Sequence, residues 1–332
     1  MENIRDRILG CVKKGVPVGL KTSYWFLKIM LPVSFFVMLL SYFNILPYLS
    51  SFAAPLFTAL GLPGDAALVF VSSIFTNIYT VIALIATLDF TVREGVILAV
   101  MCLISHGFII ETLVQKKTGS SAWRMMGLRV ICSFIAAFLL NRVMPEMPAR
   151  LTPAATVSMG FQETLLHWLE SSLWLCGKIF VIIISLMIVQ RMLEEFGILK
   201  WLSGCFSPLM RIFGLPASVS FLWILGNTVG LAYGSAIMMD YARSGKLDRR
   251  EADLINHHLA VSHSQVEDPL LFMVIGLPVL WLMIPRFLLA IFAVWERRLE
   301  YKFQDRKQKN KERKALLEHE LLEEETVSFR HS

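Results

Sequence analysis

Charge is scarce in this sequence. Only 17% of its 332 residues are Asp, Glu, Lys or Arg, while 55% are hydrophobic and the mean hydropathy is +0.59. A soluble domain carries about 25% charged residues, so most of this chain is not built to face water. Cysteine is also rare. Cys11, Cys102, Cys132, Cys176 and Cys205 are odd in number and scattered without a CxxC pair, which argues against a disulfide framework and a thiolate metal site. The sequence has no GxxxxGK[ST] phosphate loop, GxSxG elbow, HExxH or dinucleotide fingerprint, so it does not read as an enzyme. Ser262 and Ser264 would be weak nucleophiles beside His263 and Asp268. Glu2, Arg5, Asp6 and Arg7 stand where a signal peptide would need an apolar core, and no cleaved signal is expected.

Long apolar runs are abundant. Residues 24–42, 66–88, 95–114, 125–143, 172–190, 219–239 and 277–295 approach the roughly 20 residues that a spanning helix requires. The fold class is therefore all-α, a polytopic helical membrane protein. The formal net charge of +6 resides mainly in loops and termini, where it sets topology. Nucleic acid is not an expected partner.

The chain repeats itself. Phe43, Ile45, Leu46, Leu49 and Ser50 are echoed by Phe196, Ile198, Leu199, Leu202 and Ser203, and Gly61-Leu62-Pro63 by Gly214-Leu215-Pro216. After a short insertion near 243–246, Arg93-Glu94 pairs with Arg250-Glu251, Ser105-His106 with Ser262-His263, Glu111 with Asp268, and Arg129 with Arg286. The expected organisation is a cytoplasmic amphipathic lead-in (1–21), repeat one (22–143), a linker with an interfacial helix (144–171), repeat two (172–298) and a charged cytoplasmic tail (299–332). His167 in the linker is assigned no chemistry.

Charge then arbitrates topology. If 66–88 and 219–239 turn back as hairpins, Lys116, Lys117, Arg124, Arg191, Lys200 and Arg211 fall on the cytoplasmic side with the basic tail, as the positive-inside rule prefers. The halves are then inverted, with about six full spans and two re-entrant or broken hairpins. Eight crossings in parallel repeats are the alternative.

Polar groups inside these apolar runs mark a candidate site. From Gly226 to Pro269 they include Asn227, Thr228, Tyr233, His257, His258, His263, Gln265, Glu267 and Asp268. Ionisable groups at membrane depth usually face a protein interior or a cavity, and Gly226, Gly230 and Gly234 are expected to interrupt the helix there. On a continuous helix His263 and Glu267 would share a face. Substrate-binding candidates are Asn227, Thr228, Tyr233, His263, Gln265, Glu267 and Asp268, with Asn77, His106 and Glu111 as counterparts in the first half. Tyr79 accompanies Asn77. Lys28, Lys178, Arg129 and Arg286 are candidate buried cations. Structural glue between helices explains the same residues without any ligand. His257, His258, His263, Glu267 and Asp268 could in principle ligate a divalent ion, but no HxxxH spacing is present, and neither a metal site nor a cofactor is assigned.

The segment LPASVSFLWILGNTVGLAYGSAIMMDYARSGKLDRREADLINHHLAVSHSQVEDP resembles the nucleoside-recognition or Gate domain. That domain is shared by bacterial spore maturation membrane proteins, ferrous-iron transporters and concentrative nucleoside transporters. The resemblance covers most of both halves and is plainer in the second. It implies a membrane gate of hairpins and broken helices, often in inverted pairs. The iron transporter's GTPase domain and the nucleoside transporter's extra helices are absent, so the chain looks most like a fused pair of spore-maturation-type proteins, whose relatives are associated with small-solute movement. The expectation is a transporter or permease of the bacterial cytoplasmic membrane, both termini cytoplasmic, moving a small polar or anionic organic solute. Expected partners are the lipid bilayer, the solute, a coupling proton or cation such as a proton carried on His263, and a second copy of the chain. The rivals are a membrane scaffold with a partner-binding basic tail and a divalent-metal permease.

Overall fold

The computed structural model describes residues 4–43, 45, 48, 54–151, 160–228 and 231–330. Among them every regular element is helical, and an isolated bridge joins Thr91 to Arg150. The first half contains α1 (Ile4–Tyr42), α2 (Ala54–Ala59), α3 (Ala66–Phe75), α4 (Ile78–Thr87), α5 (Val92–Ser105), α6 (Phe108–Lys117) and α7 (Ala122–Val143). The second contains α8 (Phe161–Glu195), α9 (Ile198–Phe206), α10 (Ser220–Thr228), α11 (Leu231–Arg243), α12 (Arg249–Ser262), α13 (Glu267–Met273) and α14 (Val279–Arg330).

Ala122–Val143, Phe161–Glu195 and the apolar part of Val279–Lys314 are long and apolar enough to cross a membrane. Their outer faces are apolar too. Leu280, Ile284, Leu288 and Phe292 recur every fourth residue on the exposed side of α14, and Leu173, Trp174, Val181 and Val189 are exposed on α8. Such stripes would be a liability in water and suit contact with acyl chains.

The interrupted segment 66–88 is broken. α3 and α4 have 10 residues each, or about 15 Å, half the roughly 30 Å of a hydrocarbon core. The break sits at Asn77, whose side-chain oxygen accepts from the backbone N–H groups of Tyr79 and Thr80 and so caps α4. In the second half α10 ends at Thr228 and α11 starts at Leu231.

α1 and α8 lie antiparallel along their whole length. Arg7 pairs with Glu195 at one end, Cys11 Sγ meets Arg191 O, Trp168 Nε1 donates to Ser34 Oγ, and Tyr42 stacks edge-on against Phe161 at the other. Gly15 and Gly19 permit this approach. A Cβ on Gly15 would lie 3.0 Å from Ile188 Cα, and one on Gly19 only 2.8 Å from Ile184 Cα. Small residues spaced by four let helix backbones pack closely in this way.

Two apolar clusters fill the interior. The larger joins α3, α4 and α5 to parts of α7, α8 and α14, and the smaller joins α10, α12 and the Met210–Leu215 turn. Some expected boundaries move. The lead-in 1–21 is not separate, since α1 continues from Ile4 through the apolar run. The stretch 161–171, expected as an interfacial piece, continues without a break into α8 because no helix breaker intervenes. The charged tail extends α14 to Arg330.

Candidate functional site

α5 and α12 start and stop alike. Thr91 with Glu94 and Asp248 with Glu251 form capping boxes, each satisfying two orphan backbone donors. Their C-caps are His106 and His263, with nearly identical backbone angles (φ −64°, ψ 158° and φ −66°, ψ 162°). The next residues are left-handed: Gly107 at φ 55° and Ser264 at φ 48°. Each turn is pinned to the helix beside it. Gly107 N–H donates to Ser73 O and Thr76 O, and Ser264 N–H donates to Gly226 O. A Cβ on Gly226 would meet the Leu259 side chain at 2.8 Å, so that side chain would have to shift.

These turns bring the two histidines face to face. His106 Nε2 and His263 Nε2 lie 3.5 Å apart, across 157 positions of sequence. Glu111 Oε1 is 3.3 Å from His106 Nε2 and 3.2 Å from His263 Nε2, and Asp268 Oδ2 is 3.8 Å from His106 Nε2. Both imidazoles, Glu111 and Asp268 are buried or nearly so.

The ring nitrogens on the far side fix the tautomers. His106 Nδ1 is 3.1 Å from Cys102 O, and His263 Nδ1 is 2.9 Å from Leu259 O. A carbonyl only accepts, so each Nδ1 carries the hydrogen, and a neutral ring then turns a bare Nε2 lone pair to the centre.

Two buried arginines frame the pair. Arg129 donates through Nε to Ile104 O at 2.7 Å and through Nη2 to His106 O at 2.5 Å, while Arg286 repeats this on Val261 O at 3.2 Å and His263 O at 2.6 Å. They stitch the C-termini of α5 and α12, where helix carbonyls lack partners. Arg129 Nη2 also meets Glu111 Oε2 at 2.8 Å. Here the symmetry breaks. Asp268, one methylene shorter than Glu111, makes no ion pair with Arg286 and turns its Oδ2 towards His106.

The predicted residues divide accordingly. His106, Glu111, His263 and Asp268 come together. Gln265 and Asn227 lie buried beside the 263–266 turn; Asn227 Nδ2 donates to Trp223 O, while Asn227 Oδ1 and both amide atoms of Gln265 have no hydrogen-bond partner among the described residues. Thr228 is spent within its own helix on Ile224 O, and Asn77 is a helix cap. The Tyr233 side chain lies outside the described residues.

Glu267 does not share a face with His263, since the left-handed Ser264 turns the chain between them, and His263 pairs with Glu111 from the other half instead. His257 and His258 point elsewhere. The first accepts from Arg124 Nε, and the second is held by Trp223 Nε1 and Ser262 Oγ. Lys28 and Lys178 are exposed rather than buried, with Lys178 Nζ over the Trp174 ring.

Sequence reasoning missed a second network. Asp253 accepts from Ser120 Oγ, Arg297 Nε and Tyr301 Oη, while Arg124 reaches His257, Glu296 and Glu300. Asp253 within the apolar core face of α12 was the available signal.

Long apolar helices, with a helix broken at Asn77 and a buried polar centre to which both halves contribute, define a polytopic helical membrane protein. Residues 23–119 match the family model for Gate, nucleoside recognition. Over 283 residues the chain is 30% identical to "Uncharacterized membrane protein YvoD" of Bacillus subtilis (strain 168), covering 83% of this chain and 90% of that relative. The chain belongs to this family of Gate-domain membrane proteins. No solved structure matches it. The matched residues fall in the first half, whereas the second half was expected to carry the plainer resemblance. Both halves supply residues to the same centre.

Proposed function

We propose that this protein is a secondary transporter or permease that moves a small polar or anionic organic solute through a centre built jointly by its two halves. The observation that carries the reading is the meeting of His106 and Glu111 with His263 and Asp268. Burying four ionisable side chains in an apolar protein is costly, and in membrane proteins such groups mark pathways. Gln265, the free oxygen of Asn227, and the Nη1 atoms of Arg129 and Arg286, none with a hydrogen-bond partner among the described residues, support a polar or anionic ligand.

The antiparallel packing of α1 and α8, which begin the two halves, supports inverted repeats, the plan in which one unit rocks against the other. On this reading both termini face the cytoplasm and the bilayer is the cytoplasmic membrane of a bacterium.

The test is uptake into proteoliposomes of radiolabelled uridine, adenosine and succinate, by wild type and Asp268→Asn. Saturable uptake of one class, lost in a variant that still melts cooperatively, is the expected result. In parallel, a bound solute at a hundredfold excess over its Kd should stabilise the wild type by about 2.7 kcal/mol. Neither uptake nor stabilisation, together with loss of cellular function on truncation after Lys309, would favour the scaffold.

A further inference from the structure

We infer that His106, His263, Asp268 and Glu111 form a binding site for one divalent transition-metal ion of the zinc class, shared between the two halves. The inference stands on the geometry of the four side chains and does not depend on the transport reading.

Four lone-pair atoms converge here. With both Nδ1 hydrogens committed to Cys102 O and Leu259 O, a neutral ring at either position turns a bare Nε2 lone pair to the centre. Glu111 Oε1 and Asp268 Oδ2 are carboxylate oxygens, and Asp268 Oδ2 has no hydrogen-bond donor among the described residues. In that state acceptors face acceptors, and they repel unless a proton or a metal cation lies between them.

The spacing suits a metal. His106 Nε2, His263 Nε2 and the Asp268 oxygen all lie within 4.8 Å of one another. The two Nε2 atoms and Glu111 Oε1 form a triangle with edges of 3.5, 3.3 and 3.2 Å. A tetrahedral ion with ligands at about 2.0–2.1 Å sets ligand–ligand edges near 3.3–3.4 Å. The triangle therefore already has the size of one face, and Asp268 Oδ2, 3.8 Å from His106 Nε2 and farther from the other two atoms, must move in towards the triangle to take the fourth place.

The surrounding groups match too. Ligating imidazoles typically donate their second N–H to a backbone carbonyl, which fixes the ring and raises its basicity; both histidines do this. Arg129 holds Glu111 by Oε2 and leaves Oε1 directed at the imidazoles. Two imidazoles and two carboxylates favour zinc, cobalt or ferrous ion over calcium or magnesium, which prefer all-oxygen sets.

The probe is Co²⁺, whose visible spectrum reports coordination number, added to the chelator-stripped full-length protein in detergent. One equivalent should bind with a four-coordinate spectrum, and Zn²⁺ should displace it. His106→Gln and His263→Gln should each weaken binding by about 100-fold, Asp268→Asn by about 10-fold, and His167→Ala should leave it unchanged. Cooperative melting checks that each variant is folded. Less than a tenth of an equivalent bound by folded wild type, on the order of background, would overturn the site. So would an unchanged Co²⁺ spectrum in the folded His106→Gln/His263→Gln variant. If that double variant does not fold, the wild-type spectrum decides: a six-coordinate, all-oxygen form overturns the site. Metal binding without solute uptake would leave this inference standing and sink the transport proposal, and the converse would do the reverse.

Discussion

At the scale of single residues, the two turns after the histidines are equivalent in backbone and different in cost. Ser264 holds φ 48° where the first half has glycine, and an L side chain in that region costs about 1–2 kcal/mol. Ser264→Gly should therefore raise stability by about 0.5 kcal/mol after the extra unfolded-state entropy of glycine is deducted. Gly107→Ala should lower it by about 1 kcal/mol or more, since its Cβ would also sit 3.2 Å from Glu111 Oε1. Thermal melts in detergent check both, and equal effects of the same sign would contradict the assignment. Arg129→Met is the severe change here. It strips Glu111 and two helix carbonyls of their donor inside the fold, and should cost about 3–5 kcal/mol in the same assay.

The histidines, the acids and the arginines were legible in the sequence because they repeat. Their contacts were not. Sequence spacing reports which residues share a face of one helix, and so suggested His263 with Glu267. It cannot report that equivalent residues meet across the join of the two halves. The left-handed Ser264 was equally hidden, since serine carries no signal for that conformation.

At the scale of elements, the break in 66–88 was visible from its polar residues, and its cause is a cap. Asn77 satisfies two backbone donors of α4, so Asn77→Ala should cost about 1 kcal/mol. Asn77→Asp, which keeps the acceptor oxygen, should restore most of it. A solute-binding role would instead show as lost uptake with unchanged melting. The merging of the lead-in with α1 was not legible, because the packing partner that sustains the helix, α8, lies far away in sequence. That partner can be tested directly. Gly19→Leu would drive a side chain into the Ile184 backbone and force the helices apart, lowering stability by about 2 kcal/mol or more, as overpacking does. The same change at Gly10, which has nothing within 4 Å of its would-be Cβ, should be nearly neutral.

At the scale of the whole molecule, the halves are alike near the histidines and unlike where the tail begins. Asp253 and Asn256 on α12 stand where α5 has Val96 and Ala99, and they gather Ser120, Thr118, Arg297 and Tyr301 into one network. This lock ties the turn before α7 to α12 and to the start of the charged tail. Its effect is to fix the second half's terminal helix to the first half at one end of the molecule. The basic residues at the base of the tail are therefore engaged by the fold itself: Arg297 by Asp253, and Arg250 by Asp305. Two truncations should then behave differently. Removing the chain after Lys309 spares every partner in the network and should leave the melting temperature unchanged. Removing it after Arg298 takes Glu300 and Tyr301 away from Arg124, Arg297 and Asp253, leaving Asp253 with one donor fewer in a site where its side chain is 5% exposed. A loss of about 1–3 kcal/mol is expected from the unsatisfied groups, and Tyr301→Phe should reproduce the smaller part of it. If both truncations melt alike, the lock contributes no measurable stability and the asymmetry between the halves must serve something other than holding them together.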